Sequence, residues 1–216
     1  NDGSVKCWGY NDSGQLGDGT TTDRVTPTPV DLGTGVTAVA ITGGTGHSCA
    51  VLNDGSVKCW GNNGYGQLGD GTTTNRVTPT AVDLGTGMTA VAITTGYGHS
   101  CAVLNDGSVK CWGRNNYGQL GDGTTTNRST PTAVDLGTGM TAVAITGGNY
   151  HSCAVLNDGS VKCWGRNADG QLGDGTTNYS NDIPTQTSSL GTDRIAVAIT
   201  AGMGHTCAIL DDGSVS

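Results

Sequence analysis

The sequence predicts an all-β chain, a β-propeller of four-stranded blades with at least four blades in its 216 residues. Three observations carry this expectation. The first is a fixed period. Trp8, Trp60, Trp112 and Trp164 stand 52 residues apart, and the phrase Cys49 to Gly61 returns unchanged at Cys101 to Gly113 and at Cys153 to Gly165. His47, His99 and His151 keep the same step, and His205 arrives two residues late. A period in this range marks one supersecondary unit copied into a stacked array. The second is composition: glycine is abundant at 38 residues, Phe and Glu are absent, and all 18 acidic residues are Asp. Helix-forming stretches are scarce, while Thr, Val, Gly, Asn and Asp supply short strands and tight turns. The third is that each period contains three or four short strand signals, which matches one propeller blade.

The units are read as approximately 1–52, 53–104, 105–156 and 157–210, with a partial motif at 211–216, forming a single propeller or propeller segment. Within one unit, Ala38 to Thr42 reads as a short buried strand. A glycine-rich turn, Gly43 to Gly46, leads into His47-Ser48-Cys49. After Trp60-Gly61 comes a stretch that differs between copies, then Gly66-Gln67-Leu68-Gly69-Asp70-Gly71. Glycine at this density implies tight loops. The segment around Pro79 suits an edge strand, because proline cannot donate to a ladder on both sides.

The cysteines fall at two places in one hairpin. Between Cys49 and Cys59 lies Asn53-Asp54-Gly55. A three-residue hairpin loop is a type I turn followed by a left-handed residue, best filled by glycine, and Gly55 stands at that third place. Leu52 then faces Ser56, and alternation makes Cys49 and Cys59 a non-hydrogen-bonded pair. Their Cα atoms would be about 4.5 Å apart, within reach of a disulfide. The expected bridges are Cys49–Cys59, Cys101–Cys111 and Cys153–Cys163. Two alternatives stand beside them, a zinc site drawing on His47 and a set of reduced thiols. Cys7 and Cys207 lack local partners and could bond each other if the array closes on itself. The turn phrase is present at both ends, at Asn1 to Val5 and at Asp211 to Val215, which fits a slice of a longer array better than a closed four-unit ring. Bridges imply an oxidising compartment, so the expected location is extracellular or cell-surface, with the periplasm a further option.

The net charge of −8 argues against a nucleic-acid surface, and no apolar run approaches the roughly 20 residues of a membrane helix. No cofactor, metal or catalytic residue is expected. Gly69 to Asn75 offers some oxygen ligands for calcium but lacks the alternating acids of an EF-hand loop, and Asp70 better suits bracing the turn. A Ser or Cys nucleophile at the His-Ser-Cys step would be repeated in every blade, so a structural role is expected. Trp60 and its equivalents are expected to pack between blades. Positions that differ between copies are the better binding candidates: Tyr10, Tyr65, Tyr97, Arg114, Tyr117, Tyr150 and Arg166.

The order Gly-x-x-His-Ser-Cys-Ala-Val-Leu-x-Asp-Gly-Ser-Val-x-Cys-Trp-Gly-x-Asn-x-x-Gly-Gln-Leu-Gly resembles the regulator-of-chromosome-condensation repeat, and it recurs along the whole chain. The resemblance implies four-stranded blades, most often seven to a ring, so four units leave self-association or continuation into further repeats open. The paired cysteines are similar to those of bacterial extracellular members. The nucleotide-exchange and chromatin roles of nuclear members do not carry over to an acidic, disulfide-bonded chain. The expected function is a non-enzymatic module presenting one propeller face to a protein or glycan. The alternatives are an inhibitor of a secreted or periplasmic enzyme, since related propellers cap active sites with aromatic loops, and a structural spacer or assembly unit.

Overall fold

The computed structural model describes residues 2–215, so the outermost residue of the first unit and of the partial motif lie outside the described residues. Three complete antiparallel sheets repeat one plan. The first joins β3 (Ala38–Gly43), β4 (His47–Leu52), β5 (Val57–Gly61) and β6 (Arg76–Val82) in that order. The second joins β7 (Ala90–Thr95), β8 (His99–Leu104), β9 (Val109–Gly113) and β10 (Arg128–Val134), and the third joins β11 (Ala142–Gly147), β12 (His151–Leu156), β13 (Val161–Arg166) and β14 (Ser180–Gln186). Two-stranded sheets flank them: β1 (Val5–Gly9) with β2 (Arg24–Val30), and β15 (Ala196–Ala201) with β16 (Thr206–Leu210). The described residues thus hold four blades' worth of strands, arranged as three whole blades and two halves. Each 52-residue sequence unit begins in a hairpin turn and takes the outer strands of one blade with the inner strands of the next. No described helix is long and apolar enough to cross a membrane.

The hairpin chemistry sets the register. Gly55 has φ +78°, the left-handed geometry its place in the loop requires. Leu52 N–H donates to Ser56 O at 2.8 Å, and Val51, Ala50 and Cys49 then face Val57, Lys58 and Cys59. Cys49–Cys59, Cys101–Cys111 and Cys153–Cys163 are all bridged, each with its Cα atoms 4.1 Å apart. Cys7 and Cys207 do not bond each other; both are free. Cys7 lies in the β1–β2 sheet and Cys207 in the β15–β16 sheet, so no strand pairing brings them opposite one another. Replacing Cys101 and Cys111 together by Ser is expected to cost about 2–3 kcal/mol, the chain entropy of a ten-residue loop. A shift in urea midpoint measures this, and a midpoint equal to wild type would show that the bridge adds nothing. Non-reducing peptide mapping checks the pairing itself.

Two strands behave differently from one another. Pro79 sits in β6, the outer edge of its sheet, where its missing donor is harmless. The inner strands are less buried than their apolar sequence suggests. Val39, Val91 and Val143 are all more than 60 % exposed, because β3, β7 and β11 pack side by side along the inner face and a bulge after Ala38, Ala90 and Ala142 interrupts alternation. The core lies instead between sheets. Trp112 of the second blade packs with Cys49, Cys59, Leu68, Val82 and Leu84 of the first, and Trp164 repeats this on the second. A Cβ on Gly69 (φ +72°) would lie 2.8 Å from the Trp112 indole nitrogen, so the seat requires glycine.

The polar groups lock the same joint. The Gln67 carbonyl accepts both Trp112 Nε1–H (2.9 Å) and the Ser100 hydroxyl (2.8 Å). Ser100 Oγ lies 2.9 Å from His47 Nε2. Since the Ser100 proton goes to Gln67, the ring nitrogen donates, which fixes the neutral Nε2–H tautomer. His99 meets Ser152 and His151 meets Thr206 in the same way. Lys110 adds a further tie by donating across the joint to Leu84 O. The His-Ser-Cys step therefore joins blades: the imidazole is fully buried, the serine proton is committed and the cysteine is oxidised.

Candidate binding face

Strand parity decides where the variable residues go. In a four-stranded antiparallel blade, the first and third connections emerge at one end and the second connection at the other. The turns before each His and the loops after each Trp-Gly are first and third connections, so both variable segments share one end. The Asn-Asp-Gly turns, Asp211-Asp212-Gly213 in the last copy, occupy the opposite end.

The loop after Trp-Gly is cross-braced by its own side chains, which makes it a defined platform. Asn63 donates from Nδ2 to Asp70 Oδ1 and to the carbonyls of Thr72 and Thr74, and its Oδ1 accepts Leu68 N–H. Asp70 Oδ1 also accepts both Thr72 N–H and Oγ1–H, and Asp70 Oδ2 pairs with Arg76 Nε at 2.7 Å. Both carboxylate oxygens are thus used in bracing the loop. At the equivalent Asp18, burial pushes the pKa up, but bonds from Thr20 and Arg24 outweigh it and hold the carboxyl at about 2.

On this platform the tyrosines converge. Tyr97 and Tyr150 have ring centroids 5.4 Å apart, Tyr150 and Tyr117 5.2 Å, and Tyr117 and Tyr179 5.5 Å. Arg114 lies among them, its Cζ 4.9 Å from the Tyr65 ring centroid, 5.6 Å from that of Tyr97 and 5.0 Å from that of Tyr150. Such cation–π contacts hold the guanidinium against the rings. Tyr10, Tyr65 and Tyr97 border a cleft of about 250 Å³ with Gln15 and Gln67. Tyr10 is otherwise tied to Asp12, to which its hydroxyl donates at 2.9 Å. Arg166 pairs with Asp169 of its own loop and does not join the ring cluster.

Tyr179 is the member the sequence did not single out. It precedes β14, where the fourth copy reads Asn178-Tyr179-Ser180-Asn181 in place of the third copy's Asn127-Arg128-Ser129. The extra residue leaves Asn181 opposite Gly165 in the role of Arg128, and Asn181 donates to Asp174. The broken phrase was the available signal. A hollow of about 300 Å³ beside Val161, Cys163, Leu172 and Gly173 occupies the place in its blade of the seats that hold Trp112 and Trp164, with Thr187 and Ser189 standing where those seats have valine and leucine.

The sequence matches the profile of the RCC1-like domain over residues 1–216. The chain belongs to the RCC1-like domain family. This RCC1-like chain is 32 % identical over 214 residues to the ultraviolet-B receptor UVR8 of Arabidopsis thaliana, covering 99 % of the chain and 48 % of the receptor. It is 34 % identical over 178 residues to the human E3 ubiquitin-protein ligase HERC2, covering 82 % of the chain and 4 % of the ligase. It thus spans about half the length of the receptor and a small part of the ligase. Among solved structures it is similar to human WBSCR16 (TM-score 0.85, 24 % identity, 96 % of this chain and 53 % of that one). It is also similar to Prp20p of Saccharomyces cerevisiae (TM-score 0.83, 22 % identity, 99 % and 53 %). These two likenesses establish the propeller fold of the RCC1-like chain. Within that fold, its tyrosine substitutions and Arg114 and Arg166 lie at one end of the blades, while Arg194 lies at the other, paired with Asp211 and Asp212.

Proposed function

We propose that this RCC1-like chain is a non-enzymatic binding module, in an oxidising extracellular or surface setting, that presents its tyrosine–arginine face to a partner protein. One observation carries the reading: Tyr65, Tyr97, Arg114, Tyr117 and Tyr150, which differ between otherwise identical copies, meet in one cluster. Tyr and Arg are the residues that most often anchor protein interfaces. A solved structure of the yeast RCC1 protein Prp20, which shares this fold, has Kap60 bound. The three bridges support the oxidising setting. The spacer alternative is less well supported, since the invariant His and Trp side chains of the whole blades are buried between blades and not offered to other copies.

Selection of displayed peptides on the wild-type chain tests the face. Selected peptides are expected to bind a Tyr97→Ala, Tyr117→Ala, Tyr150→Ala variant at least tenfold more weakly. Val25→Ala, a change at an exposed site away from the cluster, is expected to leave affinity unchanged. Equal binding to the triple variant would remove the face from the proposal.

A further inference from the structure

We propose that the face takes a peptide segment bearing an acidic side chain, whose carboxylate seats on the Arg114 guanidinium. This rests on the module reading above.

The chain has six arginines, and five have an aspartate. Arg24 pairs with Asp18, Arg76 with Asp70, Arg128 with Asp122, Arg166 with Asp169, and Arg194 with Asp211 and Asp212. Arg114 has no carboxylate in ion-pair range among the described residues, in a chain whose net charge is −8. Its Nε is buried without an acceptor. A buried donor with no partner is costly, and a cation held there gains most from an anion brought by a ligand. The variable stretches beside it contain no acid, the second copy reading Asn62-Asn63-Gly64-Tyr65 and the third Arg114-Asn115-Asn116-Tyr117, while Asp70 and Asp122 of the same loops are engaged by Arg76 and Arg128. Asp12 and Asp169 stand in the flanking copies, where Tyr10 and Arg166 engage them.

The ring geometry favours a peptide over an acidic sugar. A sugar stacks on a free aromatic face, but the guanidinium lies over three of these rings. The ring pairs of the cluster are inclined at 48° to 61°, which gives a corrugated surface into which side chains can fit. A guanidinium flanked by rings presents its in-plane N–H edge, the edge that binds a carboxylate in a bidentate manner. The overall negative charge disfavours a polyacidic partner, so the segment carries one or two carboxylates among neutral residues.

The test uses two sets of end-capped ten-residue peptides that differ only in Glu or Gln at the central position. The Glu set is expected to bind wild type at least tenfold more tightly than the Gln set. Arg114→Gln should abolish the difference, and Arg114→Lys should restore only part of it, because an ammonium lacks the planar fork. An acetate titration followed at the Arg114 Nε–H resonance gives a readout independent of peptide choice, and a shift there is expected. Equal binding of both sets to wild type, or a Glu preference that survives Arg114→Gln, overturns the carboxylate seat. If binding is nonetheless lost in Tyr97→Ala with Tyr150→Ala, the interaction face stands without it. Binding of a uronic-acid oligosaccharide with neither peptide set bound overturns the peptide and replaces it with a glycan.

Discussion

Replacing Trp112 by Ala is expected to lower the unfolding free energy by about 3–5 kcal/mol, while the same change at Trp8 should stay within about 0.5 kcal/mol. The two residues have the same neighbours in sequence and occupy the same place in the repeat. They differ in what lies against them. Trp112 is fully buried in the preceding blade, and its indole N–H is bonded to the Gln67 carbonyl. Its loss empties a close-packed seat and removes one of the two donors on that carbonyl. Trp8 is 61 % exposed, since its half-blade has no described blade before it. Urea denaturation of the two variants gives the comparison directly. Similar losses at both positions would mean that the tryptophan stabilises its own sheet and not the joint between sheets.

The second large effect is acid sensitivity. Burial lowers the pKa of His47 to about 4. At His99 burial, joined by the neighbouring imidazoles His47 and His151, lowers it to about 3, and burial lowers His151 to about 4. The Nδ1 atom of each, where a second proton would go, is buried without a hydrogen-bond partner. In the unfolded chain these rings titrate near 6.5. Folded pKa values below the unfolded value mean that the unfolded state binds protons first. The contribution is present in full above about pH 6.5 and is lost as pH falls toward 4 and 3. Well below 6.5, each pH unit costs about 1.4 kcal/mol per histidine, or about 4 kcal/mol for the three together. The braced aspartates, also held below their usual range, add a separate loss at pH below about 4. Calorimetric melting temperatures between pH 7 and 4.5 should therefore fall steeply. His99→Gln should flatten the slope by about one proton. A melting temperature constant over that range would show that the rings are protonated, or solvated, in the folded chain.

The parts legible in the sequence are those fixed by local rules. Asn53-Asp54-Gly55 determines the hairpin loop, the loop determines the register, and the register places Cys49 opposite Cys59. Pro79 marked an edge strand because its missing donor is a property of the residue alone. Parity brings the variable loops to one end but does not decide which side chains meet there: Tyr65, Tyr97, Arg114, Tyr117 and Tyr150 gather, while Arg166 on the same connection pairs with Asp169. What was not legible depends on contacts between copies. His47 meets Ser100, 53 residues on, and not its own Ser48, which donates to Gln15 O. The exposed Val39 reads as core until the inner strands are seen side by side. Arg114 and Arg166 are the same residue at the same repeat position, and only Asp169, three residues on in one copy, separates a bound arginine from an unpaired one. Tyr179 depended on a one-residue insertion that shifts the outer strand.

The uniformity of the joints has a cost during refolding. Cys49 to Gly61 is the same peptide as Cys101 to Gly113 and Cys153 to Gly165, so any indole fits any seat and any cysteine of one class matches any of the other. A chain collapsing from denaturant could slip by one whole unit, for instance oxidising Cys49 against Cys111, with every local contact satisfied. Proximity along the chain opposes this: a native bridge spans ten residues, and closing a short loop costs less entropy than closing a long one. The short loop between native partners is thus what favours the native pairing over a slipped one.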